Sequence, residues 1–587
     1  MPQAERRLYM ENEKEVVSYA YFSESHLYEA VTQKYIETHK DKLLDERVCS
    51  MELLKELNSV IDVENAPRDK SEHFKKPKNL PLVSIAMLIA AREDMALVAG
   101  GDKSGNNQKS FMTTEKKLKL PIGKYQYDDS NNNKGVWEIT NNPHESFGVL
   151  VEHYKPGATK KEKDEVYSMT KGRLRIIYKC TIPHYAIMNN CIYDVLNKKM
   201  IDFTPELVFT AKSHVNFNPS ATNPFIPVPE DNSVWDVDSW LDSLGTPEFV
   251  GHIKEVLQAV LLPLVKRNQS VWFYSPVGNN GKGTIAQLLR NLVHEEVTVN
   301  IPLSQFAEDF GLAKLPGAMA VITDENDVHT FKSGEGMGRF KAVVTGDAVT
   351  IHEKYVNPYT FHFNGLVVEC CNSFVKTNDS SNSFYRRLHI IPFSQCFTGA
   401  EKRYIKDRLI YRTDVLEYLA KMVLCDMEYR DSFTETPMTQ KTLSMYISNT
   451  NYVAEYLDEI LPVVKWNLLP AKDFLYAGFQ KFYQETNPSG KVCGRTHFIN
   501  SVKDYISKNP DWEWTDSCRS KGYIDPNVVD PLIFKYDMDA FINRMYMTDR
   551  DYDRKCPLEN CLKEKYSGLK RKNVALIQNN PDDEETE

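Results

Sequence analysis

Residues 271–284 read VWFYSPVGNNGKGT. A β-prone run leads into a glycine-rich turn, and a helix follows with Ile285, Leu288, Leu289 and Leu292 on one face. Small residues let backbone N–H groups approach phosphate oxygens, and a helix N-terminus adds positive potential. Gly278, Asn279, Asn280, Gly281, Lys282, Gly283 and Thr284 therefore form a candidate phosphate cradle. Lys282 would reach the β- and γ-phosphates as a point charge. The match to G-x-x-x-x-G-K-[ST] is incomplete. Pro276 stands at the first glycine, and Gly283 stands where a magnesium-binding hydroxyl belongs. Thr284, one step later, is the remaining source of that hydroxyl. The competing reading is a glycine turn that holds no nucleotide.

Three further segments could complete a hydrolytic site. Residues 318–325 (AMAVITDE) form an apolar strand ending in two acids. Asp324 would sit near magnesium, directly or through water, and Glu325 would polarise an attacking water. Residues 366–372 (LVVECCN) form a second apolar strand ending in Asn372, an amide able to orient that water. Arg386 and Arg387 precede a third, LHIIPF. An arginine fork beside a short strand can project into a neighbouring subunit's nucleotide. Taken singly, these are a solvated turn, an asparagine cap and a surface arginine pair. Between them, Val349 and Ile351 alternate ahead of Phe361 and Phe363, as in a β-hairpin. Its tip would carry Lys354 and Tyr355, with His352 beside them and Lys341 upstream. A cation next to an aromatic suits a single-stranded backbone and a base face; a solvated hairpin is the plainer alternative.

The elements that must position these groups are spread over 587 residues, room for about three to four domains. Apolar residues are 42% and charged residues 26%, which excludes collagen, a coiled-coil rod and long-range disorder. The net charge of −9 excludes a wholly basic coat but not a local basic surface. The start lacks an apolar signal core. The longest apolar runs, near 82–91 and 256–265, fall short of the ~20 residues that span a bilayer. The expectation is a soluble, cytoplasmic protein without membrane contact. Eleven scattered cysteines read as reduced thiols, and neither Cys556 with Cys561 nor Cys493 with His497 makes a standard zinc pair.

Residues 1–115 read as a mostly helical region, with helical spacing through Tyr19–Tyr35 and Leu80–Val98. Residues 100–107 read as a linker. Residues 116–250 read as an α+β domain with short strands, such as Phe147–His153 and Leu174–Cys180. Asp236 and Asp238 invite a two-metal reading, but Trp235, Val237, Trp240, Leu241 and Leu244 suit an amphipathic helix that separates them. Residues 251–450 hold the phosphate loop and a helical extension. Residues 455–575 read as a separate small domain, and 576–587 as an acidic tail.

In order and spacing, these motifs resemble the superfamily 3 helicases, the AAA+-related replication ATPases of viruses and plasmids. The Asn-Gly-Lys-Gly-Thr form at 280–284 is most similar to the poxvirus primase-helicase type found in phages and mobile elements. The upstream segments 187–195 (IMNNCIYDV), 204–206, 215–219 and 235–244 resemble the domain that precedes the ATPase in this type, with Asn190 where glycine is usual. The resemblance implies a P-loop, AAA+-like, three-layer ATPase. It places Lys282 in Walker A, Asp324 and Glu325 in Walker B, Lys354 on a DNA-contacting hairpin, Asn372 as sensor and Arg387 as arginine finger. Arg386 is the alternative finger, and Lys341 matches the basic residue before the hairpin. The resemblance also implies ATP and Mg2+, a homo-hexameric ring with nucleotide between subunits, and 3′ to 5′ movement on single-stranded DNA. Residues 455–575 fit a winged-helix-like domain. Helices over 471–483 and 496–508 would present Lys503, and Trp512, Trp514, Arg519 and Lys521 would form a basic wing.

The sequence thus reads as a replicative DNA helicase that unwinds forked duplex alongside a primase or other replication proteins. Three rivals stand beside it: an initiator that binds and melts an origin, a combined primase-helicase, and a nucleotide-operated assembly switch.

Overall fold

In the N-terminal part, apolar residues recur at i, i+4 along two helices, and those residues are the buried ones. Glu24–Thr38 buries Leu27, Val31 and Tyr35, and Glu46–Asn65 buries Cys49, Leu53, Leu57 and Ile61. The side chains of Ser23 and Asp45 accept the first free amides of these helices. The computed structural model describes residues 20–100, 117–128, 132–140, 142–326, 334–354, 356–375, 377, 382–450, 452–486, 492–507, 509–525, 528–541 and 562–572.

The expected helix over Leu80–Val98 is a helix only over Leu82–Ala91. Buried Arg92 then pairs with Asp94 through two 2.8 Å bonds, and the chain enters strand β1 (Met95–Ala99). β2 (Ile122–Tyr125) pairs antiparallel with β1, β3 (Trp137–Thr140) lies outside β2, and β4 (Ile176–Tyr178) runs parallel to β1. The boundary expected at residue 115 therefore runs through a sheet. The strand expected at Phe147–His153 is a helix, Ser146–Tyr154. Its apolar run reads as either element, but Phe147, Leu150, Val151 and Tyr154 make one helical face, which packs on the same core as Leu27 and Leu53.

The range 116–250 divides near residue 180. Beyond it come a meander of β5 (Tyr185–Ile187), β6 (Ile192–Asp194) and β7 (Lys199–Ile201), and a hairpin of β8 (Ile226–Val228) and β9 (Ser233–Trp235). These elements share their core with the central unit: Tyr193, Phe217 and Trp235 belong to one buried cluster with Ile285 and Leu289. Asp236 caps the helix Val237–Ser243. The helix is as expected, but the two carboxylates are not separated: the Asn223 amide donates to Asp236 Oδ1 at 2.9 Å and to Asp238 Oδ2 at 3.0 Å, because Asp236 is the cap and turns its side chain back toward the first turn.

The central unit is a parallel sheet of β10 (Ser270–Tyr274), β11 (Thr298–Val299), β12 (Ala320–Thr323), β15 (Leu366–Cys371) and β16 (Leu388–Pro392), in the order β11-β12-β15-β10-β16. Both faces are covered, so the strands read as near-continuous apolar runs. Val271, Phe273, Val368 and Ile391 face helices Lys282–Val293 and Pro247–Leu261. Trp272, Val321 and Val367 face helix Gly334–Thr345 and Tyr446. Between β12 and β15 the expected hairpin is present as β13 (Ala348–Glu353) and β14 (Val356–His362), antiparallel, with Glu353 paired to Val356.

The C-terminal unit has its own core around Phe474, Phe498, Trp512 and Leu569. β17 (Leu468–Pro470), β18 (Trp512–Arg519) and β19 (Lys565–Arg571) form an antiparallel sheet with β19 central. Where helices were expected over 471–483 and 496–508, the chain forms a π-helical turn over Ala471–Tyr476 running into helix Ala477–Thr486, and helix Arg495–Ile506. Among the described residues no helix is long and apolar enough to cross a membrane.

Candidate functional site

In a parallel sheet all strands end on one side, and loops there can meet. Here β15 lies between β10 and β12, so the residue that ends β15 stands between those that follow the other two. The turn after β10 contains two left-handed residues, Asn279 (φ 52°) and Gly281 (φ 86°). Asparagine and glycine tolerate this region, which is why the turn can close onto the helix at Lys282. The Asn280 side chain is buried in the loop. Its carbonyl oxygen accepts from the Lys282 amide at 3.1 Å, and its amide donates to Val277 O.

Lys282 is buried. Its Nζ donates to Asn372 Oδ1 at 2.6 Å, Cys371 O at 2.9 Å and Ser275 O at 3.3 Å. Burial lowers its pKa, against the opposing pull of Cys370, Cys371 and Glu325. Asn372 Nδ2 in turn donates to Glu325 Oε1 at 3.4 Å. The lysine, a donor only, fixes which face of the amide it meets and so turns the NH2 toward the carboxylate. Lys282, Asn372 and Glu325 thus form a continuous chain along the carboxyl edge of the sheet. Glu325 and Asn372 are exposed.

Asp324 is engaged by a partner that the sequence reading missed. Arg290, on the helix Lys282–Val293 that follows the glycine-rich turn, donates to Asp324 Oδ2 at 2.8 Å and to Ile322 O at 3.1 Å. An arginine two turns beyond Lys282 was the available signal. Gly283 is exposed, and a β-carbon there would lie 3.4 Å from Lys406 Nζ; Thr284 is half-buried beside it. Gly278 and Asn279 are tied to the segment after β16, with Phe397 N donating to Asn279 O at 2.8 Å and Asn279 Nδ2 to Glu401 Oε1 at 2.9 Å.

A second missed group lies beneath the acids. Asn326 donates to Glu369 Oε2 at 2.7 Å, and its own oxygen accepts from Leu303 N at 2.9 Å. Glu369 lies inside β15, fully buried, and burial pushes its pKa up to about 8 against the hydrogen bonds from Asn326 and Thr323. The signal was the lone acid in LVVECC.

Arg386 and Arg387 lie at the other edge of the sheet. β16 starts level with the start of β10: Ser270 N and Oγ donate to Arg387 O at 2.7 and 3.0 Å. The four steps from Ser270 to Tyr274 correspond to ~13 Å of strand, so neither arginine stands beside Lys282 of the same chain. Arg386 is exposed. Arg387 is half-buried and donates to Ser383 O, one turn back, so its guanidinium is partly committed. Lys341, upstream of the hairpin, joins this cluster, donating to Ser383 Oγ at 3.0 Å.

At the hairpin, Lys354 is exposed at the tip and His352 is half-buried on β13; Tyr355 lies outside the described residues. In the C-terminal unit Lys503 Nζ lies 4.7 Å from the centre of the Trp514 ring and 3.6 Å from Asp516 Oδ1, while Arg519 and Lys521 are exposed.

A family described as "Family of unknown function (DUF5906)" matches residues 273–387, the stretch from β10 to Arg387. Among solved structures, the apo C-terminal region of NrS-1 aligns at 13% identity and a TM-score of 0.34, covering 68% of this chain and 91% of that one. An A-form structure of the same region gives 13% and 0.35, covering 66% and 89%. A compound-bound JCV helicase aligns at 15% and 0.24, covering 38% and 63%.

Proposed function

We propose that the chain is an ATP-dependent DNA helicase of replication, working as a homo-hexameric ring of the superfamily 3, AAA+-like kind. The observation that carries this reading is the chain from Lys282 through Asn372 to Glu325. A loop that only holds phosphate has no need for a carboxylate aligned by an amide beside the lysine; a site that must direct water at a γ-phosphate does. Lys282 would exchange its carbonyl partners for phosphate oxygens. Asn372, released from the lysine, would hold Glu325 and the attacking water in line. Thr284 and Asp324 would hold Mg2+, Asp324 while still braced by Arg290. The ion would neutralise charge on the phosphates.

The position of Arg386 and Arg387 supports an oligomer. Each would serve the nucleotide of the adjacent subunit, and Arg386, the exposed one, is the better placed. Lys354 would then lie on the hairpin that moves single-stranded DNA. The C-terminal unit would act as a winged-helix-like domain, with Lys503, Arg519 and Lys521 on phosphate.

The test is unwinding of forked duplexes bearing a 3′ or a 5′ single-stranded tail. The reading expects ATP-dependent unwinding that needs the 3′ tail and is lost in Lys282→Ala and in Arg386→Ala or Arg387→Ala. A protein that hydrolyses ATP and assembles but separates no fork would overturn it in favour of an initiator or switch.

A further inference from the structure

The helix after the phosphate loop ends in an unusual residue. His294 closes Lys282–Val293 with φ 95° and ψ 146°. Glycine adopts that conformation freely and a residue with a β-carbon does not. Glycine is the ordinary residue in this region, so the strain here keeps an imidazole in place. That imidazole lies against a second one from a distant part of the chain. The rings of His294 and His214 are stacked, 4.1 Å between centres and 21° between planes. Glu296 Oε2 lies 4.0 Å from His294 Nδ1. One ligand atom from each of the three lies within 4.8 Å of the others, and no other His, Cys, Asp and Glu group among the described residues is so arranged.

The backbone holds the partners in place. Ser213 Oγ donates to Leu292 O at 2.5 Å and His214 N to Val293 O at 3.3 Å, so the segment that carries His214 covers the last carbonyls of the helix. The carboxyl end of a helix is its negative end and favours a cation. Glu296 is exposed and both histidines are half-buried, so the group can be reached from solvent.

We propose that His214, His294 and Glu296 bind a divalent transition metal, Zn2+, pinning the segment before the parallel sheet to the end of the phosphate-loop helix. Two imidazoles and one carboxylate select such an ion over Mg2+ or Ca2+, which take oxygen ligands. Tetrahedral zinc with Zn–N near ~2.0–2.1 Å needs the ligand atoms closer than they stand now, and the two rings must open from their 21° stack so that both in-plane lone pairs meet one ion; binding therefore moves the rings as well as the Glu296 side chain. Three protein ligands leave the fourth position to water.

The test is Zn2+ titration of the full-length chain against a chromophoric chelator, with Co2+ spectra to identify the ligands. Wild type is expected to hold one zinc in excess of the variants. Glu296→Gln and His214→Asn are expected to weaken that equivalent at least tenfold. His294→Gly is expected to abolish it while raising the melting temperature of the metal-free protein, since it removes ligand and strain together. The Co2+ complex should show weak visible bands without thiolate charge transfer. Zinc affinity within twofold of wild type in Glu296→Gln and His294→Gly overturns the proposal. So does a strong near-ultraviolet thiolate band, which would move the metal to cysteines. Glu296 is exposed, so its variant folds and keeps the test decisive.

Discussion

Glu369→Gln should stabilise the chain, and more so as pH rises. The wild-type carboxyl is fully buried in the central strand of the sheet, with a pKa pushed up from 4.5 to about 8. Below pH 4.5 it is neutral whether the chain is folded or not. Above that, the unfolded chain gains by ionising while the folded one cannot until pH 8. Stability from this group is therefore complete below the unfolded value and is lost as pH climbs through the folded one. At ~1.4 kcal/mol per pH unit, the loss is about 1 kcal/mol at pH 5 and about 4 kcal/mol at pH 8. Glutamine keeps an oxygen for Asn326 Nδ2 and never ionises. The difference between variant and wild type should widen by about 3 kcal/mol from pH 5 to pH 8. Urea unfolding followed by tryptophan fluorescence reads this directly, because Trp272 lies opposite Glu369 on the neighbouring strand. With a slope near ~3 kcal/mol/M, the midpoints should separate by about 1 M. Parallel midpoints across that range, or a gap that narrows with pH, would refute the assignment of a neutral buried acid.

Gly281→Ala places a β-carbon at φ 86°; it should cost about 1–2 kcal/mol and weaken nucleotide binding at least tenfold, measured by fluorescent-nucleotide titration. Lys354→Ala, at the exposed hairpin tip, should leave basal ATP hydrolysis within twofold and remove most of its stimulation by single-stranded DNA. His389 is buried beside His252 and against the Phe433 ring, and burial first, then His252, lowers its pKa to about 3. Its neutral form contributes stability above pH 6.5 that is lost as pH falls toward 3, so His389→Gln should shift the acid-unfolding midpoint to lower pH.

The glycine-rich turn after β10, the two strands leading to Asp324–Glu325 and to Asn372, and the pairing of β13 with β14 were legible because each is local. An apolar run, a turn residue and a short spacing specify them. The Lys282–Asn372–Glu325 chain was legible only as a set of types, since contact between them follows from β15 lying between β10 and β12. Sheet order is a long-range property that no local pattern encodes. The same limit hid Arg290 on Asp324, Asn326 on Glu369, and the union of β1 with β2 and β4 across residue 115. Phe147–His153 was misjudged for another reason: a short apolar run fits strand and helix alike until its neighbours choose.

The most direct test is steady-state ATP hydrolysis with Mg2+, in the presence and absence of single-stranded DNA, for wild type, Lys282→Ala, Asn372→Ala and Glu325→Gln. A water-directing chain predicts DNA-stimulated hydrolysis in the wild type. It predicts loss of at least a hundredfold in all three variants, with nucleotide binding kept in Glu325→Gln and lost in Lys282→Ala. Hydrolysis unchanged by Glu325→Gln and Asn372→Ala would contradict the account, because the geometry that carries it would then have no part in the reaction.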